Sequence, residues 1–71
     1  MHTRKHLLIK FGAMVRLRRY AIGLTQLKLA EMVGCSLQAI GNLERGVANP
    51  SLIMIYRISE ALNIPPRDLM P

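Results

Sequence analysis

The sequence predicts an all-α fold, a compact bundle of five helices built around a central pair of short ones. Three observations predict it. Apolar residues recur at three- and four-residue spacing, which gives each segment one apolar helical face. Thr25, Ser36 and Ser51 stand where such runs begin, and a hydroxyl there can accept a hydrogen bond from an unpaired N–H of a helix's first turn. Gly23, Gly34 and Gly46 stand where the runs end, and glycine tolerates the left-handed conformation that a helix C-terminus commonly needs. Seventy-one residues allow one small domain, spanning 1–71, with a modest core and a plausible partner surface. No linker, repeat, low-complexity tract or second sensing domain is visible.

In order, Met1 to His6 is polar, basic and aperiodic, and reads as a flexible arm. Two readings of it stand: an arm without function, and one that touches phosphates. The first helix should run from Leu8 or Ile9 to Ile22, with Phe11, Val15 and Ile22 inward. Spacing from Phe11 also turns Arg18 inward, so its stem should cover the core edge while its guanidinium reaches water. Thr25 should cap a second helix whose apolar face is Leu29, Met32 and Val33, stopped by Gly34. Ala30, five residues before Cys35, marks a close approach of two helices. Ser36 should cap a third, with Ile40 and Leu43 inward and Leu37, Gln38, Gly41, Asn42 and Arg45 off the apolar stripe. Gly46 closes it and Asn49-Pro50 ends the unit. Ser51 should cap a fourth helix, SLIMIYRISEALN, packed through Leu52, Ile55, Ile58 and Leu62 with Ile64 behind. Ile53, Met54 and Tyr56 make that helix apolar on a second face, which predicts a dimer interface there. Pro65-Pro66 breaks the chain and should start a last short helix to Met70, with Leu69 turned to the core.

Helix, short glycine-containing turn and helix is the outline of a helix-turn-helix. The outward face of the third helix is short, polar and nearly uncharged, as base edges in a major groove require. The stretch GLTQLKLAEMVGCSLQAIGNLERGVANPSL resembles the XRE/Cro-type helix-turn-helix family of phage repressors and small bacterial regulators. The likeness covers about Lys10 to Met70, and its Leu-x-x-Ile-Gly-x-x-Glu-Arg-Gly run is most similar to restriction–modification controllers.

That resemblance implies a phage repressor-like five-helix fold and a sequence-specific regulator of transcription. The partner would be double-stranded DNA, bound by a homodimer at a palindromic operator with half-sites roughly 34–36 Å apart. It implies a structural ion pair between Arg19 and Glu44, with Arg19 also able to face a phosphate. Thr25 and Gln26, at the start of the second helix, would lie at the DNA backbone, where Gln26 holds a phosphate beside free N–H groups. Ser36, Leu37, Gln38 and Asn42 would enter the groove, Gln38 pairing bidentately with adenine. Arg45 and Asn49 would hold phosphates. The chain departs from the pattern at Leu37, which either meets a thymine methyl or is simply tolerated. Val47-Ala48-Asn49 also departs, because it lacks the usual lysine or arginine.

Bulk properties agree. Net charge is +6, and Arg4, Lys5, Lys10, Arg16, Arg18, Arg19 and Lys28 all precede the first acid, Glu31. A basic half of this kind suits nucleic acid or an anionic membrane surface, or serves as a solvated surface that aids solubility, and together with the helix-turn-helix it points to nucleic acid. The one cysteine, Cys35, reads as a buried, inert thiol. His2 and His6 have no Cys or carboxylate beside them, so no metal site is expected. Without a carboxylate pair, a Cys/His pair or a glycine-rich phosphate loop, neither an enzyme, nor a cofactor, nor a small-molecule ligand is expected. No signal peptide or membrane span is apparent, and a cytoplasmic, nucleoid-associated protein of bacterial or phage origin is expected. The alternative is a protein-interaction module that kept this fold but no longer reads DNA.

Overall fold

The computed structural model describes residues 3–71. Four α-helices follow one another: α1 (Arg4–Ala21), α2 (Gln26–Val33), α3 (Leu37–Glu44) and α4 (Leu52–Leu62). The hydroxyls of Thr25, Ser36 and Ser51 accept from the backbone N–H groups of Lys28, Ala39 and Met54 at 3.0–3.1 Å, so each cap is a side-chain bond. Between α2 and α3 the chain turns through Gly34 in the left-handed conformation, φ 83°.

The start of α1 corrects the sequence reading. Thr3 caps this helix by accepting from His6 N–H at 3.1 Å, so Arg4, Lys5 and His6 form its first turn and not an arm. Met1 and His2, the rest of that expected arm, lie outside the described residues. The fifth helix is corrected too: Pro66–Asp68 is a single 3-10 turn. Bonds from Asp68, Leu69 and Met70 reach back three residues, and Pro71 has no N–H to continue with an α-helical one.

Ten apolar side chains form the core: Phe11, Val15, Leu29, Ala30, Val33, Ile40, Leu43, Ile58, Leu62 and Leu69. Met14, Leu24, Cys35, Met54, Ile55 and Ile64 are among those packed at its edge. Three residues read as inward are exposed. Ile22 is the C-cap of α1, past the last helical residue, and so leaves the helix face. Met32 lies roughly 100° from the centre of the stripe Leu29, Ala30 and Val33, too far round a helix of 3.6 residues per turn. Leu52 opens α4, and helical side chains lean toward the N-terminus, so it points off the helix end.

Two glycines set how α1 lies on the rest. Gly12 is buried where α1 crosses the end of α3, and a Cβ there would sit 2.2 Å from the Leu43 carbonyl oxygen and 2.8 Å from that of Glu44. Gly46, with φ 76°, lies against α1, where a Cβ would be 2.6 Å from Ile9 Cα. The backbones of α1, of the end of α3 and of the following loop therefore touch directly.

Candidate nucleic-acid interface

Glu44, the last residue of α3, is the point to which three elements are tied. Its carboxylate is wholly buried. Arg19 of α1 donates through Nε to Oε2 at 2.7 Å and through Nη2 to Oε1 at 2.9 Å, a bidentate pair. Gln26 Nε2, at the start of α2, donates to Oε1 at 3.0 Å. Arg16 Nε completes the set at 3.4 Å, with its side chain half exposed. The third arm of the Arg19 guanidinium, Nη1, donates to the Leu24 carbonyl at 2.8 Å, and its plane lies 4.6 Å from the Tyr20 ring centroid. Burial alone would push the Glu44 carboxyl up, but the hydrogen bonds from Arg19, Gln26 and Arg16 and the charge of Arg19 outweigh it and hold the group below its ordinary value. Arg19 is correspondingly raised, first by its hydrogen bond to Glu44.

This arrangement fixes the C-terminal end of α3 and leaves its N-terminal end facing out. Ser36, Leu37 and Gln38 are exposed, Leu37 by 48%. Asn42 is half buried, and its Oδ1 accepts from Arg45 Nη2. That bond leaves both Asn42 amide hydrogens free to donate. Gly41 is not on the outward face: it is buried, with the Arg45 guanidinium folded over it, 3.2 Å from where a Cβ would be. Thr25 and Asn49 are exposed at the two ends of the same unit. Gln26 is half buried because of its bond to Glu44, and its amide keeps a second hydrogen to donate.

Two residues that hold this arrangement, Arg16 and Gly12, escaped the sequence reading. Arg16 stands three residues before Arg19, on the same side of α1, and that spacing was the available signal. Gly12 carried none, since its need for a bare Cα comes from α3. Arg18 behaves partly as expected: its side chain is 40% exposed with Nη2 3.9 Å from Asp68, but Nε is buried without a partner. Burial pushes the half-buried Cys35 thiol up, which keeps it protonated at neutral pH. On α4, Ile53 and Tyr56 are exposed by 61% and 52%, while Met54 is half buried against the core, so the surplus apolar face is Leu52, Ile53 and Tyr56. No helix among the described residues is long and apolar enough to cross a membrane, and none of their His, Cys, Asp and Glu side chains cluster as metal ligands do.

A family model described as helix-turn-helix matches residues 15–69. An uncharacterized HTH-type transcriptional regulator of Methanothermobacter thermautotrophicus is 49% identical over 49 residues, 69% of this chain and 71% of that protein. Among solved structures, the restriction-modification controller protein C.AhdI from Aeromonas hydrophila superposes with a TM-score of 0.87 at 43% identity, over 89% of this chain and 96% of that one. The clp gene regulator ClgR from Corynebacterium glutamicum gives 0.86 at 26% identity, over 96% of this chain and 69% of that one.

Proposed function

The chain belongs to this helix-turn-helix family of DNA-binding transcriptional regulators, and from that premise we propose that it binds a palindromic operator as a homodimer with α3 in the major groove. The observation that carries the reading is the clamp on Glu44. One carboxylate holds α1, α2 and the end of α3 together, so the polar residues at the start of α3 are presented on a fixed frame.

Each residue then has a role that its chemistry fits. Gln38 is exposed and can pair with adenine through its amide. Asn42, one turn on, accepts from Arg45 and keeps its N–H groups to donate to an acceptor such as guanine O6 or a phosphate. Arg45 thus supports Asn42 as well as supplying charge to the backbone. Leu37 meets a thymine methyl. Thr25, Gln26, Ser36 and Asn49 position the unit on phosphates, which set register and carry no sequence information. The identity to a restriction-modification controller supports a regulator of that kind.

Selection of bound sequences from random duplex DNA tests the reading. The expected product is a twofold-symmetric site whose half-site centres are one helical turn apart, roughly 34–36 Å. Recovery of no enriched sequence, with no salt-dependent binding to any duplex, would favour a protein-interaction module instead.

A further inference from the structure

The loop after α3 is the natural place for a phosphate grip, yet Val47, Ala48 and Asn49 carry no charge. The structure puts charge beside it from elsewhere. Val47 N–H donates to the Asn42 carbonyl at 3.1 Å, so the loop hangs directly from the outward-facing turn of α3. Gly46 at its start touches the backbone of Ile9. Lys5 is one helical turn before Ile9 and shares its face of α1. Arg4 lines one groove together with Asn49 and Pro50, at the other end of the loop. Both cations are exposed, and neither has an ion-pair partner among the described residues.

A second observation is independent of that placement. The first turn of α1 holds Arg4, Lys5 and His6 and no acidic residue. Helix N-termini carry partial positive charge, so cations there are electrostatically unfavourable and anions favourable. A turn built this way is poised to gain from a bound polyanion.

We infer that Arg4 and Lys5 form a phosphate clamp on the DNA backbone, supplying from α1 the positive charge that the loop after α3 lacks. The inference rests on the DNA-binding reading above and adds a contact surface to it. The contacts are to phosphate oxygens, so they strengthen binding to any duplex without changing base preference.

The test compares Arg4→Gln, Lys5→Gln and Arg67→Gln, each removing one positive charge from an exposed position, on cognate and scrambled duplexes over a salt series. Each phosphate contact contributes about 0.9 to the slope of log affinity against log salt. The expected result is that Arg4→Gln and Lys5→Gln each flatten the slope by about that amount per protomer on both duplexes, leaving the cognate-to-scrambled ratio unchanged. Arg67→Gln, in the 3-10 turn, leaves the slope as it was. Unchanged slopes for Arg4→Gln and Lys5→Gln, or an equal flattening by Arg67→Gln, would overturn the clamp while the DNA reading stands. A parent protein that binds no duplex at any salt would overturn both.

Discussion

Glu44 shows how one side chain can be costly alone and stabilising in company. A buried carboxylate without partners would protonate or unfold the site, whereas this one receives a bidentate arginine, an amide and a second arginine. Removing either Arg19 or Glu44 by alanine substitution should destabilise the fold by several kcal/mol, about 3–5 at the upper end, because the remaining partner stays buried without its bidentate ion pair. The double substitution should cost less than the sum, and strict additivity in urea unfolding would show that the pair is not coupled. The pH dependence follows in sign. Glu44 is depressed in the folded state, so its contribution is present above the unfolded carboxyl value of about 4.3 and is lost as pH falls through the lower folded value. Thermal melts taken stepwise into acid should therefore fall less steeply for Glu44→Gln than for the parent protein. An identical pH profile would remove Glu44 from the account.

At the scale of elements, what was legible in the sequence was local chemistry. Thr25, Ser36 and Ser51 cap as hydroxyls do, and Gly34 and Gly46 turn as only glycine does readily, because each needs only its near neighbours. What was illegible depended on partners or on element ends. Ile22, Met32 and Leu52 sit at a cap, off a stripe and at a first turn, and the apolar period does not say where packing stops. The bond from Gln26 to Glu44 joins residues 18 apart in sequence, so no spacing announces it. Gly12 is the sharpest case. Its substitution by alanine adds helix propensity worth about 1 kcal/mol yet drives a methyl to 2.2 Å from the Leu43 carbonyl oxygen. Overpacking of this kind typically costs about 1–3 kcal/mol, and against rigid backbone the clash should win. Chemical denaturation of Gly12→Ala should show a net loss, and a gain would mean that α1 can move off α3 freely.

For the molecule as a whole, two surfaces are left to account for: the polar face that carries the start of α3, and the apolar face of α4. Leu52, Ile53 and Tyr56 are each more than half exposed, which is unusual for three such side chains along one short helix. A twofold copy of the same face would cover them isologously. Sedimentation should find a dimer, and Ile53→Asp with Tyr56→Asp should yield a folded monomer, since both positions lie outside the core. A monomer both free and on the operator would refute that assembly. The central claim remains that the exposed start of α3 reads bases while the Glu44 clamp only holds it in place. Gln38 is its most direct probe, being exposed and free of the clamp. Affinities of the parent protein and Gln38→Ala should be measured side by side on cognate and scrambled duplexes at one salt concentration. The account predicts a loss of about 1–3 kcal/mol on the cognate site, relaxed preference at one base position per half-site, and little change on the scrambled duplex. An unchanged cognate-to-scrambled ratio would contradict it, and α3 would not be the reader.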